Sequence, residues 1–415
     1  MKNLVGACMF GQSGGPTSVI NASAAGVFTQ ALKEKNITAV YGAAHGIKGV
    51  LEENFYDISQ EDKKELELLK NTPSSALGSV RYKLKKAEED ETDYKRLLEV
   101  FKKYNIRYFF YNGGNDSMDT CNKVSKYLMS KGYDCNIIGV PKTIDNDLYG
   151  TDHCPGYGSA AKYVATTFME LCLDAKVYDI PQITIVEVMG RNAGWLTAAS
   201  SLASYKGLGP DLIHLPELPF DIEKFVKDVK AQVDKTGKCL VALSEGIKTK
   251  DGRYVAEAIS ETEKAKDSFG HTQLGGVAYS LANLLRNRFD TKVRAIEFSL
   301  MQRCAAHLAS KTDVEEAFMA GAMAVKYAVE GHTDKMVVFE RQEGKDYKIE
   351  YKLMDISLAA NTEKTVPLEW ITKEGTGLTQ DYIDYALPLI QGETKAPYED
   401  GLPRMAKLKK VLVNK

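Results

Sequence analysis

The chain has 415 residues, with 54 Lys and Arg set against 56 Asp and Glu; that length exceeds one ordinary core, so two domains or one elaborated domain are expected. The near-even charge and the lack of a dominant basic run exclude nucleic acid or an anionic membrane as the main partner, and no apolar run approaches the roughly 20 residues of a membrane span. Seven scattered cysteines (Cys8, Cys121, Cys135, Cys154, Cys172, Cys239 and Cys304) form no C-x-x-C pair and no metal spacing with the six histidines, which points to reduced thiols and a cytoplasmic location.

In chain order, Leu4 to Phe10 predicts a strand, Gly11 to Thr17 a Gly-rich loop, and Val19 to Lys33 a helix with Ile20, Ala24, Val27 and Leu32 on its apolar side. Gly14 and Gly15 let the backbone approach an anion, and the helix offers unpaired N–H groups to it. Taken alone, a tight turn explains this loop equally well. Ile37 to Tyr41 is a second strand, followed by a loop from Gly42 to Gly49. In the segment Thr72 to Lys86, small hydroxyl residues precede Arg81, Lys83, Lys85 and Lys86. Arg81 is the phosphate-gripping candidate, since guanidinium binds bidentately; the three lysines read as a solvated edge. Glu88 to Tyr104 is an amphipathic helix with Leu97, Leu98 and Phe101 inward.

Two strands then end in polar turns. Tyr108 to Tyr111 runs into Asn112-Gly113-Gly114-Asn115-Asp116-Ser117 and a helix to Ser130; Ile137 to Val140 runs into Pro141-Lys142-Thr143-Ile144-Asp145-Asn146-Asp147. In a parallel sheet the carboxyl edge is where ligands bind, and carboxylates, hydroxyls and Gly there suit a metal and a phosphate chain. For Asp145 and Asp147 the competing explanation is capping of an Asx-turn.

After a loop from Gly150 to Gly158, Ser159 to Leu173 is a helix. Ile183 to Val188 is a strand ending in Met189-Gly190-Arg191-Asn192-Ala193-Gly194. Leu212 to Leu215 (strand), Ile222 to Val233 (helix), Cys239 to Leu243 (strand, ending Ser244-Glu245-Gly246), Gly275 to Arg288 (helix), Lys292 to Phe298 (strand) and Asp313 to Val329 (helix) continue the alternation expected of doubly wound sheets. Met336 to Arg341 and Tyr347 to Tyr351 form a late antiparallel pair around Gly344, and Lys407 to Lys415 reads as a solvated tail. His271 and His307 receive no chemistry.

Gly14-Gly15, Arg81, the Gly113 to Ser117 turn, Pro141 to Asp147, Met189-Gly190-Arg191, Ser244-Glu245-Gly246, and Arg294 with Gln302-Arg303 together resemble the phosphofructokinases, from residue 4 to about residue 330. The resemblance implies an α/β fold of two Rossmann-like domains, with largely parallel sheets wrapped by helices and the active site in the interdomain cleft. Residues 1–158 plus about 302–355 would form the phosphoryl-donor domain; about 159–301 plus 356–415 would form the sugar-phosphate domain. It implies that Asp145 receives the proton of the 1-hydroxyl of fructose 6-phosphate, that Asp147 and Asn115 hold Mg2+, and that Thr143 contacts the sugar. Gly14, Gly15, Arg81 and Ser117 would bind the donor. Met189, Gly190, Arg191, Glu245, Arg294, Leu300, Gln302 and Arg303 would line the acceptor site, Arg294 and Arg303 gripping the 6-phosphate. Arg191 and Glu245 also admit structural readings, as an ion pair and a helix cap. The family's sugar site borrows cations from a neighbouring subunit, so a homodimer or homotetramer is implied.

Two positions bear on the donor. ATP users of this family carry Gly where this chain has Asp116 and Lys142. A carboxylate at position 116 fills the space of the α-phosphate and repels it. An ammonium at 142 neutralises charge building on the transferred group and the leaving phosphate. Both point to diphosphate, in a reversible step of glycolysis or gluconeogenesis. The chain departs from the family at Asn115 (usually Asp), Leu300 (usually an imidazole or phenol) and Gln182 (often an Arg), which leaves sedoheptulose 7-phosphate open as an acceptor. Competing expectations are an ATP-dependent enzyme and a catalytically silent sugar-phosphate-binding subunit.

Overall fold

The computed structural model describes residues 4–259, 276–344, 346–359 and 362–414; His271 and the expected helix start at Gly275 lie outside them. Among the described residues eleven strands build the two main sheets. β1 (Gly6–Gln12), β2 (Ile37–Ala43), β3 (Phe55–Asp57), β4 (Ile106–Gly113), β5 (Asn136–Pro141), β10 (Lys335–Arg341) and β11 (Ile349–Asp355) form the larger, in the order β11-β10-β5-β4-β1-β2-β3. Its interior pairings are parallel, and only the outer strands β3 and β11 run antiparallel to their neighbours. β6 (Gln182–Val188), β7 (Leu212–His214), β8 (Lys238–Ser244) and β9 (Lys292–Glu297) form the smaller sheet, parallel throughout, in the order β7-β8-β6-β9.

The near-continuous apolar runs of β4 and β5 follow from this topology. A central parallel strand is covered on both faces, and Tyr108 to Tyr111 and Ile137 to Val140 are all buried. On one face the helices Ile20–Ala31 and Lys311–Val329 lie in close contact. A Cβ on Gly26 would stand 2.0 Å from the carbonyl oxygen of Phe318, and one on Gly321 would stand 2.1 Å from that of Ser23, so the paired glycines set the separation of these helices.

Several expectations shift. A short helix, Ile47–Leu51, interrupts the loop expected from Gly42 to Gly49, and Leu98 is only half-buried beside the buried Leu97 and Phe101. The second strand of the late hairpin starts at Ile349, leaving Tyr347 free to reach a buried histidine, His153. The expected solvated tail is largely exposed, but it is not free. Val413 donates to the carbonyl of Phe55, Asp57 donates to that of Val411, and the amides of Lys409 and Lys410 both donate to Glu61. Edge strand β3 has unpaired backbone groups, and the chain end satisfies them. Residues 404–414 and the helix Ile356–Ala359 therefore lie against the larger sheet rather than with the sugar-phosphate half to which the sequence reading assigned them. Among the described residues no helix is long and apolar enough to cross a membrane, and all seven cysteines are unpaired.

Candidate active site

The carboxyl ends of β1, β4 and β5 face those of β6 and β8 across a cleft of about 610 Å³. On the larger-sheet side, β1 ends at the buried Gln12. Its amide donates to Asn21 Oδ1 at 2.9 Å and accepts from the Leu77 amide at 3.0 Å, while Asn21 Oδ1 also accepts from Ala76. These bonds hold the loop that carries Arg81 over the Gly-rich turn, where Ser79 donates to the Gly14 carbonyl at 2.6 Å. Gly14 has a φ of 76°. A Cβ there would lie 3.2 Å from Lys142 Nζ, and one on Gly15 would lie 3.0 Å from Arg303 Nη1. A side chain at either position would crowd its cation, which the bare backbone admits at close range.

Lys142 is buried and donates to the Gly15 carbonyl at 2.8 Å. Burial pulls its pKa down to about 8, against the pull of Asp145 and Asp147. With Arg81 and Arg303 also lining the cleft, this is a local anion site in a chain whose net charge is close to zero. The helix Asn115–Ser130 begins at the same place, with Asp116 in its first turn and Ser117 buried beneath. Gly113 is required because a Cβ there would strike Ser117 Oγ.

The turn after β5 carries the carboxylates. The Asp145 amide donates to Thr143 Oγ1 at 3.1 Å. Burial raises the Asp145 carboxyl, opposed by Lys142 and Arg191. Asp147 is pushed up to about 7 by burial, then by Asp145 and Glu363. Asn115 Nδ2 donates to Asp147 Oδ2 at 3.3 Å, and Asn115 Oδ1 is buried without a partner. A half-buried carboxylate unfavourably charged as it stands, beside an orphaned amide oxygen, fits a hard divalent cation that takes oxygen ligands and keeps several waters. Among the described residues no three His, Cys, Asp or Glu converge to hold an ion by themselves.

On the smaller-sheet side, Met189, Arg191 and Glu245 line the cleft. Glu245 is raised to about 7 by burial and by Asp145, against the Gly190 amide and Arg191. Arg191 Nε is buried with no hydrogen-bond partner, a donor positioned for an anion. Gly190 and Gln302 stand behind this wall: the Gly190 amide reaches Glu245 at 3.4 Å, and Gln302 Oε1 accepts from the Met189 amide at 3.2 Å. Arg294 and Leu300 do not line the cleft. Arg294 sits on edge strand β9, 3.8 Å from Asp174, and Leu300 is exposed.

Residues 363–366 also border the site, and no strand end or Gly turn marks them in the sequence. Asn192 Nδ2 donates to Glu363 at 3.0 Å, and the Lys364 amide donates to the Asp147 carbonyl at 2.8 Å. Trp195 Nε1 donates to the Lys364 carbonyl at 2.9 Å, and Glu217 accepts from both Gly194 and Val366. This segment ties the two sides of the cleft together.

Residues 8–297 match the phosphofructokinase family model. The chain is 45% identical to a pyrophosphate–fructose 6-phosphate 1-phosphotransferase of Xanthomonas campestris, over 99% of this chain and 98% of that one. It is 43% identical to a protein of the same name from Halomonas elongata, over 97% and 96%. The crystal structure of a pyrophosphate-dependent phosphofructokinase from Marinobacter aquaeolei superposes with a TM-score of 0.89 at 42% identity, covering 99% of this chain and 98% of that chain. Fold, cleft and relatives agree, and the chain belongs to the phosphofructokinase family.

Proposed function

We propose that this protein transfers a phosphoryl group from diphosphate to the 1-hydroxyl of fructose 6-phosphate, giving fructose 1,6-bisphosphate and phosphate. The observation that carries the choice of donor is the Lys142 ammonium, buried between the Gly15 carbonyl and the catalytic turn, with Asp116 at the adjacent helix start. The ammonium, with Arg81 and Arg303, meets the charge of a short diphosphate. Asp116 occupies and charges the direction in which a nucleoside triphosphate would continue.

In the forward step a bond forms between O1 of the sugar and the terminal phosphorus, and the bridging P–O bond breaks. The hydroxyl proton passes to Asp145, whose burial-raised affinity for protons suits a late acceptor. Inorganic phosphate leaves with the bridging oxygen, its charge met by Lys142. Arg191, through its unpartnered Nε, orients the reacting group, and Glu245 accepts from sugar hydroxyls. When bound, magnesium neutralises and orients the diphosphate oxygens, and Asn115 and Asp147 are the residues that would hold it. Diphosphate is an anhydride donor of modest energy, which leaves the step reversible.

Arg294 turned away from its own cleft, on an open sheet edge, supports its service in the cleft of a second copy, and hence a homodimer or homotetramer. Unpaired cysteines agree with a cytoplasmic enzyme. A coupled spectrophotometric assay offering fructose 6-phosphate with diphosphate or with ATP tests the reading. Turnover is expected with diphosphate; turnover with ATP alone overturns the donor assignment, and sugar-phosphate binding with no turnover overturns the activity.

A further inference from the structure

Asn146 stands between the two carboxylates of the catalytic turn and does not itself line the cleft. It has a φ of 55° and is fully buried, a left-handed conformation that Asn tolerates better than most residues. Both ends of its amide are used. The Cys154 amide donates to Oδ1 at 2.9 Å, and Nδ2 donates to the Tyr385 hydroxyl at 2.8 Å. The first of these bonds comes from a backbone donor, so it fixes which way the amide points. Tyr385 in turn donates to the Asp152 carbonyl at 2.8 Å. Its hydroxyl therefore has one accepted and one donated bond, in a single sense.

The ring behind that hydroxyl has little freedom. It packs 5.2 Å from Trp195 and 5.3 Å from Trp370, with the Arg341 guanidinium 4.9 Å from its centroid, and Arg341 also donates to the Tyr385 carbonyl at 3.0 Å. We infer that Tyr385 is a positioning residue for the phosphoryl transfer: through Asn146 it holds the left-handed link that aims Asp145 and Asp147 into the cleft together. The residue lies on the helix Gln380–Ala386, beyond the stretch matched by the family model. Without the hydroxyl, the Asn146 amide loses its acceptor and the turn gains a way to rotate. A misplacement of this kind lowers the rate of a step that depends on near-attack geometry while leaving substrate grip in place.

This rests on the proposed reaction, and the experiment separates the two. Tyr385→Phe is compared with Tyr382→Phe, whose hydroxyl lies in the same aromatic cluster but bonds the Trp195 carbonyl at 3.0 Å and the Tyr157 hydroxyl instead of Asn146. Rates are counted per folded chain, and melting temperatures are recorded. Tyr385→Phe is expected to lower kcat about tenfold with KM for diphosphate and fructose 6-phosphate within twofold. Tyr382→Phe is expected to lower the melting temperature and keep kcat. In an Asn146→Gly background, which permits the same φ, Tyr385→Phe is expected to add no further loss, because the link it acts through is gone. Wild-type kcat in Tyr385→Phe, equal losses in both tyrosine variants, or multiplicative losses in the double variant would each overturn the inference while wild-type turnover leaves the reaction standing.

Discussion

Lys142 Nζ lies 2.8 Å from the carbonyl oxygen of Gly15, a buried ammonium held by the backbone of the loop that faces it across the donor site. Among the described residues its hydrogen bond goes to a carbonyl and not to a carboxylate, so the charge remains available to an incoming anion. Lys142→Met keeps much of the stem and removes the charge. The expected outcome is a fall in kcat of about a hundred- to a thousandfold, the range for losing one preorganised donor to a developing charge. Steady-state kinetics at saturating diphosphate measures it.

For Asp145→Asn, shape is preserved and the proton acceptor is lost. General-base removal costs roughly 10²- to 10⁴-fold, so kcat should fall by that order with KM for either substrate little changed, since the role is made in the transition state. A comparable rise in KM would assign Asp145 to ground-state binding instead.

Asp116→Gly should open the space beside the start of the helix Asn115–Ser130 to a longer phosphate chain. Calorimetric titration is expected to register ATP binding that the parent protein lacks, without efficient ATP turnover while Lys142 remains. No gain in ATP affinity would discard the steric argument for position 116.

The buried His153 lies between two carboxylates, with Asp152 at 2.7 Å and Glu316 at 2.6 Å; Arg341 and Tyr347 complete the group. Burial pulls the imidazolium pKa down, but Glu316 and Asp152 push it up from 6.5 to about 9. A folded pKa above the unfolded one means the stabilisation is fully present below pH 6.5 and is lost as pH rises through about 9. The ceiling on this contribution is of order 3 kcal/mol. Urea midpoints measured across that window should decline with pH, and Glu316→Gln should flatten the decline.

Much of the fold was legible because its cues are local. The runs at β1, β4, β5, β6 and β8 each end in a polar turn, and a parallel sheet brings those turns to one edge whatever lies between them. The clustering of Lys142, Asp145, Asp147, Arg191, Glu245 and Arg303 around one cleft follows from that rule. Residues whose position depends on long-range pairing were not legible in this way. Gln302 carries a polar amide in a family motif, but its side chain accepts from the Met189 backbone behind the wall. Arg294 lies on an edge strand, whose outward side nothing in the local sequence distinguishes from its cleft side. Glu363 and Lys364 reach the site only because the backbone at 364 pairs with Asp147, and no periodicity announces such a contact. The chain end likewise looks soluble and cationic, and only the presence of the β3 edge explains why it lies down.

The bonds from Asn146 to Tyr385 and from Asp147 to Lys364 have a consequence in time. Asn146 and Tyr385 are 239 residues apart, and at about 5–20 residues per second a ribosome takes on the order of 10 to 50 seconds to travel between them. Once Arg303 has been made the nascent polypeptide contains every motif of its family, yet the loop bearing Asp145 still lacks its bonds to Lys364 and Tyr385. Catalytic competence is thus acquired near the close of translation, and a chain released early would carry the signature of the enzyme without its geometry.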